Sequence, residues 1–250
     1  MEIKSIETKP IIEKQDINQL LATCLKNVKE NSIIAITSKV ISICEGNVVS
    51  QSSVSKDDLI YQEADLIIPD KNKFGAILTI KNNTLIPTAG IDESNGNGDF
   101  ILWPKNPQKS ANQIRNFIRR KYGIDNLGVI ITDSKTTPLR WGTTGIAIAH
   151  SGFDALNNYI GSQDIFGREM IATKANVADG LASAAVLIMG EGGEQTPIAV
   201  ITEIPFVIFR KNNPTNKEIS GLKIELKDDL YSKILTSVRW EGGGNNSTKS

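Results

Sequence analysis

Apolar residues recur along this chain with two distinct periods. Behind Asp16, a good helix N-cap, Ile17, Leu20, Leu21, Cys24, Leu25 and Val28 keep strict helical spacing. Asn106 and Pro107 open a second helix as N-cap and first residue. Ala111, Ile114, Phe117 and Ile118 mark its buried face, and Gly123 ends it. Arg115, Arg119, Arg120 and Lys121 fall on what reads as a solvated face. Ala175 to Met189, rich in Ala, Leu and Val, predicts a buried helix. Leu226 to Trp240 predicts a last one, with Leu230, Ile234 and Val238 on one side.

Short apolar runs supply the strands. Ile3 to Ile12 reads as an edge strand broken at Pro10, and Ile33 to Ile36 as a buried strand. Phe74 to Ile80 and Thr84 to Thr88 form a hairpin through Lys81-Asn82-Asn83. Phe100 to Trp103, Val129 to Ile131, Ile146 to Ala149, Ile198 to Ile201 and Phe206 to Phe209 complete the set. Asp57 to Pro69 is mixed and begins helical, and Gly242 to Ser250 reads as a disordered tail. Strands outnumber helices and do not alternate with them, which argues against a doubly wound sheet. The expected fold is α+β: a mixed, largely antiparallel sheet with packed helices. Residues 1–241 form one unit with room for two subdomains.

Composition narrows the function classes. The 250 residues carry 28 Lys+Arg and 28 Asp+Glu, a net charge of zero. That excludes a general nucleic-acid or membrane surface, so an anionic substrate must be gripped by local groups. Cys24 and Cys44 have no metal-ligand spacing, a reduced, cytoplasmic pattern. The first residues lack the apolar core of a signal peptide, and no run is long enough to span a bilayer. Asn82 of the Asn-x-Thr triplet is then a turn residue.

The richest candidate chemistry lies in Val129 to Gly145, VIITDSKTTPLRWGTTG. A β-branched run leads to Thr132, Asp133 and Ser134. A carboxylate at the mouth of a buried strand suits a hard divalent cation, which needs oxygen ligands. Arg140 follows, and guanidinium makes bidentate contacts to phosphate or carboxylate. A polar connection whose Asp caps a turn would look the same. Ser38 and Lys39, just past a strand, suit a phosphate or an ordinary turn. Gly190 to Gly193 after a helix suits a close phosphate approach or a plain C-cap. No Walker ending follows it, and a helix C-terminus repels anions, so a metal held by Glu191 is the better mediator. His150, the single histidine, reads as structural or peripheral.

This central stretch resembles the core motif of the γ-glutamyl ligases that act on the deazaflavin coenzyme F-420 precursor, the CofE-type family. Thr37-Ser38-Lys39 through Glu45-Gly46, Ala89 through Asn95, and Met189-Gly190-Glu191-Gly192 match in the same order. Asp164 to Arg168 resembles the family's aspartate-aromatic-glycine-arginine turn with one residue inserted. The likeness runs from about Ile3 to Thr202. It implies Asp92, Asp133, Ser134 and Glu191 as ligands of Mg2+ or Mn2+, with K+ a further candidate. Lys9, Pro10, Ser38, Lys39, Asn95, Gly190, Gly192 and Gly193 would hold GTP. Asp133, Arg140 and Arg168 would act on the reacting groups.

The activity so implied is glutamylation. The terminal phosphate of GTP passes to an acceptor carboxylate, and the α-amine of L-glutamate attacks the acyl phosphate. An intertwined homodimer is implied as well. Two departures bear on the acceptor. The family continues Phe-Gly-Arg-Pro-Trp-Arg after its Asp-Ser pair, where this chain has Lys135-Thr136-Thr137-Pro138-Leu139-Arg140, and a frequent basic residue is replaced by Ile43. A folate is therefore the leading expected acceptor, with the deazaflavin as the alternative. The competing classes are a non-catalytic nucleotide- and metal-binding module and a phosphotransferase without glutamate ligation.

Overall fold

The computed structural model describes residues 1–244. In its first half run β1 (Glu2–Ile6), α1 (Ile17–Cys24), β2 (Ser32–Thr37), α2 (Ser38–Glu45), β3 (Val48–Ser50), α3 (Lys56–Glu63) and β4 (Leu66–Lys71). Then come β5 (Ile77–Lys81), β6 (Thr84–Pro87), β7 (Asp99–Ile101), α4 (Pro107–Tyr122), β8 (Leu127–Thr136) and β9 (Thr143–Ser151). The remainder holds β10 (Leu156–Asn158), β11 (Lys174–Asn176), α5 (Val177–Met189) and β12 (Ile198–Thr202). Two short helices, α6 (Asn216–Ser220) and α7 (Ser232–Leu235), and β13 (Glu241–Gly242) close the described chain.

The fold is mixed α+β, as the pattern of strands and helices indicated. The main sheet has the order β1-β12-β2-β8-β9. Its β2–β8 pair is parallel and every other described pairing is antiparallel. β2 and β8 are apolar on both faces because both are covered. Ile34, Ile36, Val129 and Ile131 pack against α1, α2 and α4, whereas Ile33, Ala35 and Ile130 meet α5. These side chains are fully buried, worth about 1.5–3 kcal/mol each for the larger ones. α5 lies very close to β9. A Cβ at Gly145 would sit 2.5 Å from the Ala182 carbonyl oxygen, and Ser183 donates to the Gly145 carbonyl at 2.7 Å.

A second layer carries its own core of Leu59, Ile60, Ile67, Ile77, Phe100 and Leu102. It consists of the sheet β13-β4-β5-β6, the β3–β7 ladder and α3. Among the described residues no helix is long and apolar enough to cross a membrane.

Several expectations need correction. The first strand stops at Ile6, and the segment carrying Lys9 and Pro10 leaves the sheet. Ser38 and Lys39, expected in a phosphate-holding loop or an ordinary turn, are the first residues of α2, which Thr37 caps. The run at Val129 does not end at Thr132 but pairs with β9 through Thr136. Ala175 belongs to β11, and α5 starts two residues later. Phe206 to Phe209 forms a single bridge, Phe153 to Phe209, not a strand. Leu226 to Trp240 folds as turns with one short helix, and Leu230, Ile234 and Val238 are exposed. Their helical spacing had no buried partner to define a face. Gly242, assigned to the tail, pairs with Leu66, and Gly243 N donates to the Asp65 carbonyl at 3.0 Å; residues 245–250 of that expectation lie outside the described residues.

Arg115 is the sharpest reversal. Assigned to a solvated face, it is completely buried. Its guanidinium donates to the carbonyls of Leu127 (2.7 Å), Arg210 (2.6 Å) and Lys211 (3.1 Å), and to Asn213 Oδ1 (2.9 Å). Burial, with nearby Arg119, pushes its pKa down to about 10. The side chain pins the segment 210–213 against the start of β8 at Leu127. Arg115→Leu should destabilise the fold by about 3 kcal/mol or more, since each orphaned carbonyl costs about 1–3 kcal/mol. Urea unfolding is the check, with faster hydrogen exchange expected at residues 210–213.

Candidate active site

A groove of about 810 Å³ runs between the carboxyl ends of β2 and β8 and the second layer. It is lined by Lys9, Pro10, Ser38, Lys39, Asp92, Asn95, Asp133, Ser134, Gly190, Glu191, Gly192 and Gly193. Every residue nominated from sequence is thus present except Arg140 and Arg168.

The parallel pairing sets the first wall. Thr37 lies opposite Thr132, so Ser38, which leaves β2 as the first residue of α2, is level with Asp133, which stays in β8 paired with Ile146. The Thr37 side chain accepts from Val40 N and starts α2. The free N–H groups of that first turn and the helix dipole favour an anion there. Lys39 Nζ reaches Asp92 Oδ2 at 2.7 Å, Ser94 Oγ at 2.9 Å and the Ser94 carbonyl at 3.1 Å.

Asp92 comes from the second layer. Its backbone exchanges two bonds with Ile101, at 3.0 and 2.7 Å, and Ser94 N donates to its Oδ1 at 2.6 Å. Burial alone would raise its pKa, but the bonds from Lys39 and Ser94 outweigh burial and hold the carboxyl below its ordinary value. Asn95 Nδ2 donates to the Gly192 carbonyl at 3.2 Å, tying this loop to the glycine turn after α5.

Asp133 sits just past a β-bulge, where Ile131 pairs with Ala149 but Thr132 pairs with Ala147. Bulges re-aim side chains beside functional sites. Ser134 N donates to Asp133 Oδ1 at 2.8 Å, and Trp103 Nε1 donates to Oδ2. Burial, aided by the charge of Asp92, pushes its pKa up to about 6 despite those bonds and Lys39. Glu191 joins from the far side, its Oε1 accepting from Ser134 Oγ at 2.7 Å and Thr143 Oγ1 at 3.4 Å. Glu194 accepts from Gly192 N at 2.8 Å and fills the glycine turn.

Asp92, Asp133 and Glu191 open on one groove, but no three His, Cys, Asp or Glu side chains close into a metal cluster among the described residues. Two carboxylates whose charges oppose each other, with a hydroxyl and a third carboxylate nearby, nevertheless fit a hard divalent cation.

Arg140 and Arg168 are held elsewhere. β8 and β9 continue past the groove and carry Arg140 out in their exposed turn. Arg168 lies beyond β10 on a projecting arm, 82% exposed, bonded to Asp164 at 3.2 Å. His150 is buried against Phe153 with ring centroids 5.5 Å apart, and burial lowers its pKa, which fits a structural role. Sequence reading missed Trp103, whose bond to Asp133 spans 30 positions. As one apolar residue ending a strand, it carried no local signal.

A groove lined by the carboxylates of Asp92, Asp133 and Glu191, with a lysine at a helix N-terminus, is the kind of concave polar site in which ligands bind. Comparison narrows the class. Residues 5–203 match the family model described as F420-0:Gamma-glutamyl ligase. The coenzyme F420:L-glutamate ligase of Methanococcus maripaludis is 32% identical over 241 residues, 90% of this chain and 96% of that protein. Those of Methanopyrus kandleri and Methanocaldococcus jannaschii are 33% and 34% identical, covering 86% and 78% of this chain and 90% and 84% of theirs. The chain belongs to the F420-0:gamma-glutamyl ligase family and is, with it, a ligase that forms an amide bond.

The carboxylate pair makes stability depend on pH. Asp133 holds its proton more tightly folded than unfolded, its value rising from 3.8 to about 6. The stability gained from that proton is complete below 3.8 and lost as pH rises through about 6. The loss is about 3 kcal/mol at most. Asp92 works in the opposite sense. Thermal melts of metal-free protein should therefore show Asp133→Asn gaining on the wild type between about pH 4 and about pH 7.

Proposed function

We propose that this chain is a cytoplasmic, GTP-dependent γ-glutamyl ligase that joins L-glutamate to the carboxylate of a cofactor precursor. The supporting observation is the meeting of Asp92, Asp133, Ser134 and Glu191 with the α2 N-terminus on one groove. The relatives are named for coenzyme F420 and L-glutamate, which favours the deazaflavin as acceptor. The departure at Lys135 to Arg140 keeps a folate as the second reading.

A carboxylate oxygen is a poor leaving group at neutral pH. Transfer of the γ-phosphoryl group breaks its bond to the bridging oxygen of GDP and forms one to the acceptor carboxylate. The glutamate amine then attacks the acyl carbon, phosphate departs and the amine loses a proton. This needs charge neutralisation and positioning rather than a protein nucleophile. The first turn of α2 and Lys39 hold phosphate oxygens, and Asn95 and the turn of Gly190, Gly192 and Gly193 shape the nucleotide wall beside Lys9 and Pro10. Asp92, Asp133, Ser134 and Glu191 would hold Mg2+ or Mn2+, which supplies positive charge beside the phosphates when bound; K+ is a further candidate ion. Lys39 then exchanges Asp92 for phosphate. Arg140 and Arg168 reach substrate only if their hairpins fold inward or belong to a second copy of the chain.

That second copy is part of the proposal. Leu139, Trp141, Ile165, Phe166 and Ile171 stand exposed on the two projecting hairpins, where a homodimer would cover them. Light scattering should give twice the chain mass. A fully active monomer at assay concentration would refute the dimer.

The decisive assay is phosphate release from GTP with Mn2+ or Mg2+, with and without L-glutamate, using either acceptor. Release that needs glutamate and one acceptor identifies the ligase and its substrate. A phosphotransferase would release GDP without glutamate, and a binding module would release nothing. Asp133→Asn should lower the glutamate-dependent rate about 100-fold or more.

A further inference from the structure

We infer that Trp103 is a positioning residue: its indole N–H fixes the Asp133 carboxylate relative to Asp92 and so orients it to take a divalent cation. The inference rests on the metal reading above.

One short segment controls both acids. Ile101 ends β7 and holds the Asp92 backbone by two hydrogen bonds, at 3.0 and 2.7 Å. Two residues later Trp103, only 3% exposed, sends its Nε1–H to Asp133 Oδ2 on the central sheet. The bond therefore runs between the layer that supplies Asp92 and the sheet that supplies Asp133. The placement of one acid is passed to the other through a rigid ring.

The ring is itself held from several sides. Its backbone carbonyl accepts from Asn47 Nδ2 at 2.6 Å. Lys81 Nζ lies 5.7 Å from the ring centroid, is itself buried, and is paired with Glu63 at 2.5 Å. Gly90 leaves the space the indole nitrogen occupies, since a Cβ there would lie 2.4 Å from Nε1. An indole nitrogen is a donor only, so the contact has one sense. With Ser134 N on Oδ1, each carboxylate oxygen receives one donor, and the plane of the group is fixed. An ionised carboxylate has about four acceptor positions, so lone pairs remain for a cation on the groove side. Donors of this kind behind a ligand orient it, and their removal costs about 10–100-fold in metal affinity.

Trp103→Phe keeps the ring and deletes the donor. Mn2+ binding to nucleotide-free protein, followed by electron paramagnetic resonance of the free ion, should weaken about 10–100-fold, while cooperative thermal unfolding persists. A folded variant with unchanged Mn2+ affinity overturns the inference, because a purely structural tryptophan would lower the melting temperature alone. If the wild type binds no Mn2+, the metal reading fails and this inference with it. If the wild type binds Mn2+ and the folded variant binds it equally well, the inference fails and the metal reading stands. A second measurement leaves Trp103 intact. In the Trp141→Phe/Trp240→Phe protein the single indole N–H resonance should shift saturably as Mg2+ is added. A resonance that stays fixed while Mg2+ binds overturns the inference.

Discussion

The parallel β2–β8 pair is the constraint on which the rest depends. Both strands are buried on both faces, so neither can slide without exposing a full layer of Ile and Val. Their register places Thr37 beside Thr132. Everything chemical at the groove's first wall follows from that alignment: a helix N-terminus leaves one strand where a carboxylate leaves the next. Layers of helix on either side make the pairing expensive to disturb, and the site inherits that rigidity.

Electrostatics at the groove are arranged rather than neutral. Asp92 is matched by Lys39 and held below its ordinary pKa, whereas Asp133 is buried, repelled by Asp92 and answered by two neutral N–H donors and the charge of Lys39, which do not offset its burial. Environments that push two neighbouring acids in opposite directions are typical of functional sites, because a well-packed fold gains nothing from opposing charges. Adding one hard cation relieves the conflict, and the lysine is then free for a phosphate.

The periphery is built on a different principle. The β8–β9 turn and the β10–β11 arm project with exposed Leu, Trp, Ile and Phe and have little core of their own. Arg115 shows the opposite economy. A charged side chain is spent inside the fold to satisfy three carbonyls where a chain segment without regular structure meets the start of β8. A buried backbone that has no strand partner must find its hydrogen bonds from side chains, and guanidinium carries five donors.

Much of this protein was legible before folding was considered. β2, β8, α4 and most of α5 announced themselves by period and caps, and the ordered motifs around Lys39, Asp92, Asp133 and Glu191 named the residues that share one groove. Those signals are local, because a helix cap or an apolar strand depends on neighbours a few positions away. Tertiary structure alone decided that Arg115 is buried, that 226–240 is not one helix, that Ser38 opens a helix rather than a turn, and that Arg140 and Arg168 stand away from the carboxylates. It also decided that Trp103 donates to Asp133. Each depends on partners distant in sequence, such as the 30 residues between Trp103 and Asp133, and no local pattern of polar and apolar residues encodes which distant group will be there.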